Sequence, residues 1–277
     1  MNKTWFITGA SSGLGRLMTE KLLARGDKVA ATFRKLGSLD DLKAQYGDLL
    51  WDAQLDMTEV HQIREVVNAA FRELGRIDVI VSNAGYGLFG AAEELSDAQI
   101  SRQIATNLTG PIQLIRAALP HLREQGGGRI VQVSSEGGQI SYPNFSLYHA
   151  TKWGIEGFIE SVAQEVVGFG IDFMIAEPGP TRTNFAAALD YAQPSEIYEA
   201  TSAGEVRRLI SSGEFVIRGD ATHSVDALIK AADLTNPPLR LVLGSTAYEN
   251  ICTALTNRLQ ALEAQRHLAL SADIKEN

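Results

Sequence analysis

The chain reads as a single α/β domain built on a doubly wound parallel sheet of seven strands, with helices on both faces. Three observations carry that reading. Short apolar runs alternate with segments of helical apolar spacing along most of the length, the pattern of repeated strand–helix–strand units. The first run ends in a glycine-rich turn that opens directly into a helical pattern. No linker, repeat or low-complexity block divides the 277 residues, and α/β folds reach such lengths without splitting.

Bulk composition narrows the function classes. Hydrophobic residues make up 45% and charged residues 21% of the chain, ordinary for a globular protein. The net charge of -8 argues against a nucleic-acid surface, because neutralising phosphates needs clustered Lys and Arg. The basic groupings are only pairs such as Arg34-Lys35 and Arg207-Arg208. Cys252 is the only cysteine, so neither an internal disulfide framework nor a cysteine-rich metal site is expected. The histidines show no metal-ligand spacing, and no metal is expected. No apolar stretch approaches membrane-spanning length, so the expectation is a cytoplasmic protein with no membrane partner.

Lys3–Thr8 is a short, mostly apolar run that reads as a buried parallel strand. Gly9-Ala-Ser-Ser-Gly13-Leu-Gly15 follows, and then a helical pattern carrying Leu17, Leu22 and Leu23. Strand, glycine turn and helix together form a phosphate cradle: the glycines permit the tight turn, and the helix N-terminus offers free N–H groups and a positive dipole end. The second strand, Lys28–Phe33, ends without the acidic residue that would bind ribose hydroxyls, and Arg34 follows it. A guanidinium there suits a 2′-phosphate, so NADP(H) is expected, with NAD(H) the less favoured alternative. Ser11 and Ser12 are further donors to that phosphate.

Ser38-Leu-Asp-Asp41 has the form of a capping box opening a short helix. Leu49–Leu55 reads as the third strand, ending at Asp56-Met-Thr58. Val60, Ile63, Val66, Val67, Phe71 and Leu74 repeat at helical spacing and are expected in the core. Asp78–Ser82 is the fourth strand, closed by Asn83-Ala84-Gly85, whose small residues suit close approach of backbone to a ligand. Ser96-x-x-Gln99 is a second capping box, on a helix expected to run past Asn107 and to kink at Gly110-Pro111. The fifth strand lies within Gly126–Ser135 and ends in two serines, and Ile171–Ala176 is the sixth. Glu177-Pro-Gly-Pro-Thr-Arg-Thr183 then turns the chain.

Between these two strands lies Ser146–Lys152. On a helix, Tyr148 and Lys152 stand on one face. Ile155, Phe158, Ile159, Val162, Val166 and Val167 keep helical phase after them, which supports one helix. A fixed positive charge favours phenolate, so Lys152 is expected to lower the phenol's pKa from about 10 and fit it for proton exchange. His149 points about 100° away and reads as structural.

Thr8-Gly-x-x-x-Gly-x-Gly and Tyr148-x-x-x-Lys152, with Asn83-Ala-Gly, Asn107, the serines and the Pro-Gly loop in order between and after them, resemble the short-chain dehydrogenase/reductase family in its single-domain, Rossmann-like branch. The resemblance covers essentially residues 1–250. It implies a catalytic set of Asn107, Ser135, Tyr148 and Lys152. Ser135, thirteen residues before Tyr148, is the aligned serine and Ser134 the fallback. It implies cofactor contacts from Gly9, Ser11, Ser12, Gly13, Leu14, Gly15 and Arg34; from Asp56, Met57, Asn83, Ala84 and Gly85; and from Tyr148, Lys152, Pro178, Gly179, Thr181 and Thr183. In the family Asn107 holds a water beside the lysine, and members assemble as homodimers or homotetramers. The activity implied is NADP(H)-dependent hydride transfer with a ketone, an aldehyde or a secondary alcohol.

Residues 184–219 follow no single period and are expected to form a substrate lid within the single domain 1–277. Phe89, Ile140, Tyr142 and Phe145 are candidate apolar walls, so a mostly apolar small-molecule substrate is expected. Arg182 is the one candidate polar contact. Thr222–Asp233 reads as a further helix and Leu239–Leu243 as the seventh strand. Tyr248, Ile251, Leu255, Leu259 and Leu262 make a helical stripe expected to pack, and the polar last residues are expected to fray. Two rivals stand beside the oxidoreductase: a non-catalytic NADP-binding sensor or scaffold, and a sugar-nucleotide epimerase, which also uses Tyr-x-x-x-Lys. Glycine spacing and the short C-terminal region count against the epimerase.

Overall fold

The computed structural model describes residues 2–274. Seven parallel strands form one sheet: β1 (Thr4–Ile7), β2 (Lys28–Phe33), β3 (Leu50–Gln54), β4 (Val79–Ser82), β5 (Gly128–Val133), β6 (Ile171–Pro178) and β7 (Arg240–Leu243). Their spatial order is 3-2-1-4-5-6-7. The strand order reverses between β1 and β4, and the carboxyl ends of the strands at such a switch point are the place where open α/β sheets bind ligands.

Strand periodicity divides the core into two layers. Trp5, Ile7, Val29, Ala31, Val79, Val81, Val131 and Val133 face one side, with Met18, Leu22, Leu23, Val225 and Leu228 packed on them. Phe6, Ala30, Ile80 and Ile130 face the other, covered by Ile63, Val67, Phe71, Leu114, Ile115, Ile155 and Ile159. Successive side chains of a strand point to opposite faces, so a sheet covered on both sides needs apolar residues at every position. The first layer is built by α1 (Gly13–Arg25) and α8 (Ala221–Ala232), the second by α3 (Val60–Leu74), α5 (Gly110–Glu124) and α6 (Ser146–Val166). The remaining helices are α2 (Asp40–Tyr46), α4 (Asp97–Ile104), α7 (Ser202–Ser211), α9 (Ser245–Ala264) and α10 (Arg266–Leu270).

Three sequence expectations are corrected. The Ser38 capping box does not form: α2 starts at Asp40 after Leu39, and the Ser38 hydroxyl donates backward to Lys35 O. The Ser96 box does form, with Ser96 Oγ accepting from Gln99 N. The expected kink at Gly110-Pro111 is instead a π-helical turn over Ala105–Thr109 that joins α4 to α5. Pro111 lies in the first turn of α5, directly after the π turn. The stripe on α9 packs only at Ile251; Tyr248, Leu255, Leu259 and Leu262 are exposed, while the helix is held to the domain on another side by Arg258, which donates to Gln139 O and lies over the Trp153 ring. The expected fraying concerns a tail whose last residues, 275–277, lie outside the described residues. No helix among the described residues is long and apolar enough to cross a membrane.

Candidate active site

The site is assembled from the ends of the first six strands, the helix α6 and the π turn before α5. After β1, Gly9 takes φ +68° and lies so near Ala84 that an added Cβ would come 2.9 Å from the Ala84 Cα. Gly15 is equally constrained: a Cβ there would lie 2.5 Å from Gly9 O and 2.4 Å from Asn83 Nδ2. The turn is held by β4's end. Asn83 Nδ2 donates to Thr8 O at 2.9 Å and Gly9 O at 3.2 Å, while Thr8 Oγ1 accepts from the N–H groups of Asn83 and Ala84. Asn83 therefore acts here as the clasp of the turn. Ser12, the residue before α1, places no side-chain cap on the helix, which leaves the first N–H groups of α1 open beside Ser11, Ser12 and Gly13. A residue other than glycine at position 13 would meet nothing within 4 Å. An open cradle at an uncapped helix N-terminus fits a pyrophosphate.

Around this cradle, Leu14 is partly buried against the core. Arg34 is exposed at the end of β2, and among the described residues its guanidinium has no hydrogen-bond or ion-pair partner. Asp56 Oδ1 accepts from Thr58 N at 2.9 Å and Thr58 Oγ1 at 2.8 Å, an Asx turn leading to α3. The Met57 side chain is buried in the second core layer. Pro178 and Gly179 end β6, and a Cβ on Gly179 would come 3.1 Å from Ala247 at the start of α9. Thr181 Oγ1 donates to Gly179 O, and Thr183 Oγ1 accepts from Phe185 N.

At the reacting end, Tyr148 and Lys152 are both buried on α6. Lys152 Nζ lies 5.5 Å from the centre of the Tyr148 ring and donates to Val133 O at 3.0 Å. Burial dominates the phenol. It pushes the Tyr148 pKa up to about 12, with the nearby Glu136 and Glu156 adding to the rise and the hydrogen bond with Ser135 opposing it. The expected lowering by Lys152 is thus corrected: burial, and not the lysine, sets the direction, and at neutral pH the hydroxyl is a proton donor. Burial also pulls the Lys152 ammonium down to about 8, against the opposing charge of Glu156.

The two serines after β5 part company. Ser135 joins the Tyr148 side, its Oγ accepting from Gly137 N at 3.1 Å. Ser134 is turned beneath the sheet end and donates to Glu156 Oε1 at 2.5 Å. Asn107 sits in the π turn, a distortion frequent at functional sites. Its Nδ2 donates to Tyr86 O at 2.8 Å and its Oδ1 accepts from Tyr86 N at 3.1 Å, so its amide pins the segment after Asn83-Ala84-Gly85.

His149 locks the loop behind Ser135. Its Nδ1–H donates to Gly137 O at 2.8 Å and its Nε2 accepts from Tyr142 N at 2.9 Å, as only the neutral ring can. Burial holds its pKa below the usual histidine value. A depressed folded-state pKa means stability that is complete above the unfolded value of about 6.5 and lost as pH falls through the folded one. The melting temperature is therefore expected to fall as pH drops below about 6.5, and His149→Gln should flatten that part of the profile. An unaltered profile would remove this role.

Residues 184–191 reach over the phenol. Asp190–Tyr191 pairs in parallel with Leu88–Phe89, and Arg102 and Gln99 bind Asp190. Phe185 stands edge-on to Tyr148 at 5.8 Å between ring centres, and Phe145 does so at 6.1 Å. Phe89 packs on Phe145 and Tyr191. Tyr142 is committed elsewhere: its hydroxyl donates to Glu136 and accepts from Asn250 of α9. Arg182 donates Nε to Ile217 O.

A family model described as short chain dehydrogenase matches residues 3–194, more than half of the chain. The chain belongs to the short chain dehydrogenase family. It is 37% identical over 276 residues to oxidoreductase BOA17 of Botryotinia fuckeliana, covering 98% of this chain and all of that one. A short-chain dehydrogenase from Streptomyces avermitilis superposes with a TM-score of 0.90 at 36% identity, over 98% of each chain. A serine dehydrogenase solved in a closed form with NADP+ superposes with a TM-score of 0.74 at 26% identity, over 87% of this chain and 94% of that one. The chain is thus an oxidoreductase with the Rossmann-like fold of its family.

The sequence did not single out Tyr86, Glu156 or Arg240, and it gave Glu177 no role beyond opening the Pro-Gly turn; all four hold the site together. Only Glu156 carried a signal, its spacing of four from Lys152 on a helix face.

Proposed function

We propose that this protein is an NADP(H)-dependent oxidoreductase that interconverts a mostly apolar ketone or aldehyde and its alcohol, with Tyr148 as the acid–base group. The observation that carries the reading is the convergence of Ser135, a buried Tyr148 and a buried Lys152 at the same carboxyl end of the sheet as the open phosphate cradle. NADPH, when bound, supplies the hydride. Gly9–Gly15 and the start of α1 hold the pyrophosphate, Asn83–Gly85 and Pro178–Thr183 line the cofactor's path, and Asp56 takes the adenine side. Ser135 hydrogen-bonds the carbonyl oxygen, and the Tyr148 hydroxyl passes its proton to that oxygen as the alcohol forms. Lys152 stabilises the phenolate left behind and binds the nicotinamide ribose. Asn107 keeps the segment around Tyr86 in place and aligns a water between Lys152 and solvent. Residues 184–219 close over the substrate, with Phe185, Phe145 and Phe89 as apolar walls.

The test is direct. NADPH binding is followed by fluorescence, and a panel of ketones, aldehydes and secondary alcohols is assayed with both cofactors. Binding without turnover on any of them would favour the sensor or scaffold alternative. Arg34 decides the cofactor. A guanidinium with no internal partner gains a charge-assisted pair on meeting a 2′-phosphate, so Arg34→Ala should weaken NADPH binding by about 10–100-fold and leave NADH binding unchanged. Equal losses for both cofactors would count against the NADP assignment.

A further inference from the structure

Beneath Tyr148 and Lys152, α6 buries a further ionisable side chain, Glu156, that the chemistry above does not use. Glu156 follows Lys152 by one helical turn and shares its face. Its side chain is 3% exposed and is fixed from three directions. Ser134 Oγ donates to Oε1 at 2.5 Å, and Arg240 Nη1 of β7 donates to Oε2 at 2.7 Å. Gly138 is packed against it so closely that a Cβ there would fall 1.8 Å from Oε1. Arg240 also pairs with the fully buried Glu177 at the end of β6 and with Glu160. One guanidinium is therefore shared by three carboxyl groups and is not the partner of Glu156 alone.

Lys152 has no such partner. Its ammonium is buried and bonded to a single neutral acceptor, Val133 O, and no carboxylate lies within ion-pairing distance among the described residues. A buried ammonium without a counter-charge loses its proton. We propose, resting on the acid–base reading of Tyr148 and Lys152, that Glu156 is a positioning residue whose carboxylate, clamped by Ser134 and Arg240, keeps Lys152 charged and so able to hold the cofactor ribose and a phenolate. The direction of the field agrees: Glu156 is the one charge that raises the Lys152 pKa against its burial. The other ionisable groups around the pair are Tyr148, His149 and Glu160 on α6, Glu136 after β5, Glu177 on β6 and Arg240 on β7.

The test separates charge from packing by its sign. Lysine Nζ signals are titrated by nuclear magnetic resonance in the full chain, the Lys152 signal being the one missing in Lys152→Arg. Glu156→Gln keeps the shape and an acceptor for Ser134 while removing the charge, and it should lower the Lys152 midpoint by about one pH unit or more. Arg240→Gln removes the opposite charge and should raise it. NADPH affinity of Glu156→Gln should drop about fivefold or more at pH 8 and recover at pH 6.5, since a midpoint moved from about 8 down by one pH unit takes the charged form at pH 8 from about one half to about one tenth. Packing damage would move both variants the same way, and that result overturns the proposal. So does a folded Glu156→Gln whose Lys152 midpoint or NADPH affinity at pH 8 is unchanged. Should Glu156→Gln not fold, Arg240→Gln decides alone, an unchanged or lowered midpoint refuting the role. A wild-type chain without turnover on any carbonyl or alcohol sinks the acid–base reading, while the Lys152 titrations still judge Glu156.

Discussion

Tyr148→Phe is expected to cut turnover by about 10²–10⁴-fold while leaving NADPH binding near the wild-type value. The substitution deletes one hydroxyl. The ring still fills its buried place between Phe145 and Phe185, so the walls of the site survive. What disappears is the proton. With its pKa pushed up to about 12, the phenol of the free protein holds that proton throughout the neutral range, and neither Ser135 nor Lys152 can stand in at the same point. Steady-state kinetics on a substrate found by panel screening, together with a fluorescence titration of NADPH, check both halves. Undiminished turnover would end the assignment of Tyr148 as the acid, whereas lost NADPH binding would mean that the ring itself shapes the cofactor site.

Gly15→Ala should be nearly as severe for a different reason. The new methyl group would sit 2.5 Å from Gly9 O and 2.4 Å from Asn83 Nδ2. Gly9 O belongs to the backbone and cannot swing aside, and Asn83 can move only by giving up its bonds to Thr8 and Gly9. Overpacking of this kind costs about 1–3 kcal/mol, which lowers Tm by about 2–10 °C. Because the displaced atoms are the turn that receives the pyrophosphate, NADPH affinity should fall by more than tenfold. Thermal melts with and without NADPH measure both effects. A variant that melts and binds normally would show that the turn is looser than its contacts imply.

Much of the fold was legible in the residues because it rests on local signals. Apolar runs such as Val79–Ser82 need no distant partner to announce a strand covered on both faces. Gly9–Gly15 announces a turn through the conformations only glycine tolerates, and α6 keeps one apolar face through Ile155, Ile159 and Val162. Elements resting on choices between local alternatives were less legible. Ser38 turns back to Lys35 instead of capping α2. The spacing of Leu255, Leu259 and Leu262 promised burial, but periodicity cannot say whether a face meets the rest of the chain.

The candidate site divides in the same way. By itself the sequence determined which groups can do the chemistry: a phenol and an ammonium on one helix face, a serine at a strand end, a glycine cradle and an unopposed Arg34. Side-chain type and short spacing settle those. Only the tertiary structure decided how these groups are set, because electrostatics depends on burial and on neighbours far apart in the chain. It turned Ser135 toward the phenol and Ser134 toward Glu156. It raised the Tyr148 pKa where the adjacent lysine promised to lower it. It also brought Glu177 and Arg240, remote in sequence, under Lys152 through Glu156. Desolvation and long-range charge act through space, and the order of residues along the chain carries no direct record of either.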